Sequence, residues 1–152
     1  MREGEIMGLF SFLGSLFGSK VSSKVIEEIR REISFAEAIK AHTAWKSRLQ
    51  TALEGKSDET LVPAHICEDN RCVLGKWIHG AGTRRFGGDA SFEGLRSKHA
   101  RFHVHAARVV ELTQAGEQEL ATMIFENEYA KTSHEVIGMQ VALKKEFGED
   151  RS

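Results

Sequence analysis

The sequence predicts an all-α protein, an antiparallel helical bundle of about four main helices preceded by a short N-terminal segment. The 152-residue chain contains a single proline, the residue that most strongly interrupts helices. Apolar residues recur at spacings of three and four along most of the chain, the periodicity of amphipathic helices. The length allows one domain with its own core and is too short for two ordinary domains.

Composition narrows the class of protein. The 41% of hydrophobic and 28% of charged residues are the balance of a folded domain. The 21 basic and 22 acidic residues leave a net charge of -1, so no overall field attracts nucleic acid and we expect no nucleic-acid partner. Two cysteines without a secretory signal are typical of a reducing compartment. We therefore expect a cytoplasmic protein.

The N-terminal residues 1–21 are predicted to form an apolar appendage. Their apolar run, 7–17, is too short to span a bilayer and is interrupted by Gly14. In a helix, one face would hold several large apolar side chains: Leu9, Phe10, Leu13, Leu16 and Phe17. Such a face is typical of a partner-docking segment or of contact with a membrane surface through residues 8–17. Packing on the chain's own domain or on a symmetry mate is the alternative.

Residues 22–148 are predicted to form the bundle, and 149–152 a frayed tail. A helical pattern begins at Ser22, and Ser34 followed by Glu37 forms a capping box that starts a helix over 34–53. The apolar stripe of that helix is Phe35, Ala38, Ile39, His42, Trp45, Leu49 and Leu53. Because His42 lies in the middle of the stripe, we expect it to face the core.

The middle of the chain is predicted to alternate connections and helices. We expect a connection over 54–70, a short helix over 72–78 with Cys72 at its start, and a glycine-rich loop over 80–89 in which the arginines are solvated. A second long helix over 91–115 is capped by Gly116. Its stripe is Phe92, Leu95, His99, Phe102, His103, Ala106, Val109 and Val110. Helices over 117–125 and 129–147 complete the bundle.

Helical phase separates the candidate metal ligands from the other histidines. His99 and His103 are four residues apart on the apolar stripe, so both imidazoles can reach one ion. Two imidazoles side by side in a core are costly unless a metal compensates. His105 points away, at about 200° from His103 on the helical wheel. Since such pairs are more often packing or chance, the spacing alone leaves both explanations open.

His42 and Cys72 are the natural further ligands. His42 faces the core from another helix, and we expect the helix dipole to lower the pKa of the Cys72 thiol. Three nitrogens and one sulfur form a tetrahedral set that favours Zn²⁺. Cys67 lies five residues before Cys72, too far for the two-residue spacing of zinc knuckles. We expect it to be a free thiol, with a disulfide to Cys72 under oxidation as the alternative.

Three sequence elements together resemble a known family. They are Ala41-His42-Thr43-Ala44-Trp45, then Cys72-Val73-Leu74-Gly75-Lys76-Trp77, then His99 and His103 on one helix. Over about residues 35–147 the chain resembles the chemoreceptor zinc-binding domain of bacterial signalling proteins. The resemblance implies one Zn²⁺ held by His42, Cys72, His99 and His103 in a helical bundle. It also implies a homodimer and a role in signal transduction, including chemotaxis.

The resemblance further implies a sensor that responds to zinc availability or, through the zinc-bound cysteine, to oxidants such as hypochlorous acid. Its partner would be a chemoreceptor or a diguanylate cyclase, although neither a receptor signalling hairpin nor a cyclase domain is recognisable in this sequence. A structural or metal-buffering zinc protein without switching is the alternative. A zinc metalloenzyme is disfavoured because Cys72 fills the fourth position, so we expect no enzyme. A hemerythrin-like di-iron carrier would need more histidines and bridging carboxylates.

Overall fold

The computed structural model describes residues 21–148. Over these residues the chain is helical with no strand, and its helices pack into one bundle, which confirms the predicted all-α fold class. The predicted apolar face of the N-terminal appendage and the tail 149–152 lie outside the described residues. None of the described helices combines the length and the apolar character needed to cross a membrane.

The helices vary greatly in length. In chain order they are α1 (Ser23–Glu32), α2 (Phe35–Leu53), α3 (Pro63–Ile66), α4 (Val73–Trp77), α5 (Thr83–Phe86), α6 (Ala90–Gln114), α7 (Gln118–Ile124) and α8 (Ala130–Phe147). The segment Ile78–Gly82, which is kinked at Gly80, joins α4 to α5, and a π-helical turn, Phe125–Tyr129, joins α7 to α8.

Side-chain caps explain where the main helices start. The hydroxyl of Ser22 accepts a hydrogen bond from the Val25 amide, and that of Ser34 accepts one from the Glu37 amide. These bonds satisfy amides that a helix start leaves without partners. At the other end of α6, Gly116 takes a positive φ of 81°, as predicted for a C-terminal cap.

Two segments differ from the sequence prediction. The separate helices predicted over 117–125 and 129–147 run on as one helical stretch through the π-helical turn Phe125–Tyr129. This turn contains no proline or glycine that would end a helix. Its polar residues interrupt the apolar stripe, but they do not interrupt the helical backbone. The predicted loop over 80–89 is wrong where α5 forms, although the backbone does kink at Gly80, whose φ of -116° and ψ of -109° are not helical.

One hydrophobic core holds the bundle together. Helices α2, α6 and α8 pack on one another, and Phe35, Phe102 and Leu143 are buried between them. Helix α1 reaches the far end of α8, where the Arg30 guanidinium donates to the carbonyl of Phe147 at 3.0 Å. Helices α3 and α4 cover α6 and α2 respectively. This arrangement places the middle of α2 and α6 beneath the start of α4.

Candidate metal centre

Four side chains from three helices meet at one point in the bundle. His42 comes from α2, His99 and His103 from α6, and Cys72 from the residue that caps α4. One ligand atom from each residue lies within 4.8 Å of all the others. The Cys72 Sγ is 3.8, 3.2 and 3.6 Å from Nε2 of His42, His99 and His103. The His99 Nε2 is 3.2 Å from that of His42 and 3.1 Å from that of His103.

The five distances given above lie near the edges of a zinc tetrahedron. Zinc bonds of about 2.0–2.1 Å to nitrogen and about 2.3 Å to sulfur place nitrogens about 3.3 Å apart and nitrogen about 3.5 Å from sulfur. The nitrogen pairs at 3.1 and 3.2 Å and the sulfur contacts between 3.2 and 3.8 Å scatter around these values. The donor set of three imidazoles and one thiol therefore fits Zn²⁺ in both chemistry and spacing.

Backbone carbonyls select the tautomer of two of the imidazoles. The Nδ1 of His42 lies 2.9 Å from the Ala38 carbonyl, and that of His103 lies 2.9 Å from the Ile66 carbonyl. A carbonyl only accepts, so each Nδ1 carries the proton and donates it. The lone pair of each Nε2 then points at the centre of the cluster, the orientation that metal-binding histidines require.

Burial keeps the imidazoles neutral. His42, His99 and His103 are at most 4% exposed. Burial, partly offset by the hydrogen bond to Ala38, lowers the pKa of His42 to about 4. Burial and the neighbouring imidazoles lower the pKa of His99 to about 2. Neutral imidazole is the metal-binding form, and converging lone pairs only 3.1–3.2 Å apart repel unless a cation lies between them.

The expected effect of the helix dipole on Cys72 is wrong in sign. Cys72 does cap α4, and its Sγ accepts a hydrogen bond from the Gly75 amide at 3.3 Å. Burial nevertheless raises the pKa of the thiol, because the loss of water outweighs the amides of Gly75 and Leu74 and because the Asp69 charge adds to it. The thiol therefore releases its proton when a metal binds.

A close backbone contact explains the glycine three residues after Cys72. A Cβ at Gly75 would lie 1.7 Å from the carbonyl oxygen of Asp69. Real Cβ atoms do not approach an oxygen so closely, so only glycine lets the segment before Cys72 pack on the first turn of α4. This contact fixes the position of the Cys72 cap relative to Asp69.

Replacing Gly75 with alanine should therefore destabilise the fold by about 1–3 kcal/mol, the usual cost of overpacking, and weaken zinc binding. Urea unfolding and a zinc titration measure the two effects. The matched control is Gly138→Ala, in the interior of α8, where an added Cβ meets nothing within 4 Å. It should raise the free energy of unfolding by about 0.5–1 kcal/mol through helix propensity. Equal behaviour of the two variants would contradict the packing argument.

The other histidines and the second cysteine lie away from the cluster. His105 is half-buried, with its Nδ1 3.2 Å from the Thr132 hydroxyl, and His65 and His134 are exposed. Cys67 is an exposed free thiol that donates to the carbonyl of Ala64 at 3.3 Å. Cys72 is also free, so the structure contains no disulfide between them.

The aromatic and basic residues near α4 have specific partners. Trp77 is buried against Phe35 and Phe92, and its indole donates to a Glu32 carboxylate oxygen at 3.0 Å. Trp45 is only half-buried, beneath the guanidinium of Arg48. The expectation that Arg85 is a solvated charge is wrong, because it forms ion pairs with Glu28 and Glu32 of α1.

Three groups around the cluster escaped the sequence reasoning. The carbonyl of Ala38 lies four residues before His42, a spacing that could have indicated it, whereas that of Ile66 has no signal in the sequence. Asp69 lies close to His99, with its Oδ2 3.8 Å from the His99 Nδ1. Its place three residues before Cys72 was the available indication.

Comparison with known proteins agrees with the geometry. The family model described as the chemoreceptor zinc-binding domain matches residues 42–110, a stretch that begins at His42 and includes Cys72, His99 and His103. Neither the curated proteins nor the solved structures contain a match to this chain. The resemblance seen in the sequence is confirmed over residues 42–110, where the model of the chemoreceptor zinc-binding domain matches, and together with the cluster of three histidines and one cysteine this match supports a zinc-binding signalling domain.

Proposed function

We propose that the protein is a cytoplasmic sensor in which His42, Cys72, His99 and His103 hold one Zn²⁺ and the state of Cys72 reports on oxidants or on zinc availability. The observation that carries the proposal is the convergence of three imidazole nitrogens and one Sγ within 4.8 Å of one another, with five of the spacings near the edge lengths of a zinc tetrahedron. The family's signalling role supports a regulatory use of the site.

The proposed oxidant chemistry takes place at the Cys72 sulfur. Bound Zn²⁺ supplies the positive charge that keeps Cys72 a thiolate, which is the nucleophilic form. The Sγ attacks the chlorine of hypochlorous acid, a sulfur–chlorine bond forms and hydroxide leaves. Water then displaces chloride from sulfur, giving sulfenic acid and a proton. Sulfur loses two electrons, chlorine gains them, and the site loses its anionic ligand.

A chain of contacts leads from the site to α1. Cys72 begins α4 and Trp77 ends it, and the Trp77 indole donates to Glu32 on α1. Arg85 on α5 forms ion pairs with Glu28 and Glu32, so α5 is also linked to α1. A shift of α4 after the loss of the Cys72 ligand would therefore displace α1, which follows the N-terminal segment. We propose that this route, within a homodimer, signals to a chemoreceptor or diguanylate cyclase partner, and that residues 8–17 supply the docking or membrane-surface contact.

A structural or metal-buffering zinc site is the second candidate, favoured by the nearly complete burial of the three imidazoles. In that case the zinc would stay bound during oxidation. We propose no catalytic role, because four protein ligands leave no coordination position for a substrate or a water nucleophile.

A pulse of hypochlorous acid on the zinc-loaded protein tests the proposal. We expect release of zinc, measured with a chromophoric indicator, together with faster hydrogen exchange of the α1 amides. Cys67→Ser should respond like the wild type. Cys72→Asp keeps an anionic ligand without an oxidisable sulfur, so its remaining zinc should resist the pulse. Zinc retained by the oxidised wild type would reject the response to oxidants.

A further inference from the structure

We infer that Asp69 is a positioning residue for His99, and that His79 holds the Asp69 carboxylate in place from the solvent side. This inference rests on the proposed function, since His99 is one of its four zinc ligands. Asp69 accepts the Nδ1 proton of His99, as backbone carbonyls do for His42 and His103.

The starting observation is a buried polar atom without a partner. His99 is 0% exposed, and its Nδ1 has no hydrogen-bond partner within the described residues. The corresponding atoms of His42 and His103 both donate to carbonyls at 2.9 Å. A buried N–H without an acceptor costs about 1–3 kcal/mol, so His99 needs an acceptor that the backbone does not provide.

Asp69 is the carboxylate placed to provide it. Its Oδ2 lies 3.8 Å from the His99 Nδ1 and 3.0 Å from the His79 Nε2, which puts one oxygen between the two rings. The carbonyl of Asp69 packs on Gly75, so the backbone of Asp69 lies directly against the first turn of α4. A rotation of the Asp69 side chain that moves Oδ2 by about 1 Å brings it to about 2.7–2.9 Å from the His99 Nδ1, the usual length of a charge-assisted hydrogen bond.

Charge balance supports the same assignment. Zn²⁺ with one thiolate and three neutral imidazoles leaves one positive charge in a buried cluster. The carboxylate of Asp69, whose Oδ2 lies 3.8 Å from the His99 Nδ1, is placed to cancel that charge. A carboxylate on the outer nitrogen also fixes the tautomer of a zinc-binding histidine and makes its inner nitrogen a better ligand.

His79 completes the arrangement from outside. Its side chain is 38% exposed, whereas that of Asp69 is 22% exposed and that of His99 is fully buried. Burial therefore increases from His79 through Asp69 to His99. By holding Oδ2, the His79 ring limits the rotation of the Asp69 side chain away from His99.

The test is a competitive zinc titration of Asp69→Asn, which keeps the size of the side chain and removes its charge. We expect a loss of zinc affinity of about 10–100-fold, the usual effect of removing such a partner. His79→Asn should give a smaller loss, and Asp69→Glu should recover part of the affinity. The control is the neighbouring Glu68→Gln, whose carboxylate is about half exposed and pairs with Arg71, and which should bind zinc like the wild type.

A spectroscopic measurement separates positioning from a general effect on folding. In the ¹⁵N-labelled zinc-loaded wild type, the Nδ1 proton of His99 should show the downfield signal of a hydrogen bond to a carboxylate, and Asp69→Asn should lose it. Wild-type affinity in Asp69→Asn, an equal loss in Glu68→Gln, or no such signal in the wild type would each overturn the inference. A wild type that binds no zinc, or an unchanged affinity in Cys72→Ala, would overturn the proposed function instead.

Discussion

Replacing Cys72 with alanine should weaken zinc binding on the order of 100-fold. Structural zinc sites of four ligands bind with about 10–16 kcal/mol, so one ligand contributes about 3 kcal/mol, and 1.4 kcal/mol is a factor of ten. Cys72 is also the only anionic ligand in the set, which makes its loss at least as costly as the loss of one imidazole. Competition with a chromophoric chelator measures the affinity.

Cys67→Ala is the matched control for this experiment. Cys67 lies five residues away along the chain, but its thiol is exposed and bonded to the Ala64 carbonyl rather than to the cluster. Its removal should leave zinc affinity unchanged. His105→Ala should also retain zinc, because the His105 side chain points away from the cluster and contacts Thr132 of α8. Equal zinc affinity in Cys67→Ala and Cys72→Ala would contradict the ligand assignment.

Removal of zinc by a strong chelator should lower the midpoint of thermal unfolding. The ion binds only the folded arrangement, in which α2, α4 and α6 bring their ligands together. With free zinc at about 1,000 times the dissociation constant, binding stabilises the fold by about 4 kcal/mol. At about 2–4 °C per kcal/mol for a chain of this size, the midpoint should fall on the order of 10 °C.

The same melt with Cys72→Ala controls for direct effects of the chelator on the protein. In that variant the same free zinc is only about 10 times the dissociation constant, so binding stabilises the fold by about 1.4 kcal/mol and the chelator should lower its midpoint by only a few degrees. A wild type whose melting temperature is unaffected by chelator would mean that the cluster does not couple metal binding to folding. The reduced stability after chelation should recover fully when zinc is added back.

The sequence could predict which histidines face the core, because this depends only on their positions along each helix. His99 and His103 share a face because they are four residues apart, and both belong to a stripe with Phe102 and Leu95 that had to be buried. His42 lies in the middle of a similar stripe on α2. Since a bundle packs its stripes together, the three imidazoles had to come close, and the structure does bring them together.

The surroundings of the site depended on tertiary contacts that local patterns do not contain. The sign of the pKa shift of Cys72 depends on how much water the packed bundle excludes, which the position at a helix start does not reveal. The partners of Arg85 lie more than 50 residues away on α1. The carbonyl of Ile66 reaches His103 only through the packing of α3 on α6.

The merging of α7 and α8 has a related cause. The polar residues of the turn Phe125–Tyr129 interrupt the apolar stripe, which in the sequence resembles a break between two helices. The π-helical turn allows the chain to continue, and it keeps Tyr129 buried against Phe102 and Phe125. Periodicity counted at 3.6 residues per turn cannot register such a turn.

The central claim is that His42, Cys72, His99 and His103 hold one zinc ion in each chain. Mass spectrometry of the purified protein under native conditions tests it most directly, with the wild type compared with the double variant Cys72→Ala/His99→Ala. We expect a mass corresponding to one zinc per chain in the wild type and the metal-free mass in the double variant. A wild type without zinc, or a double variant that retains a full zinc ion, would contradict it.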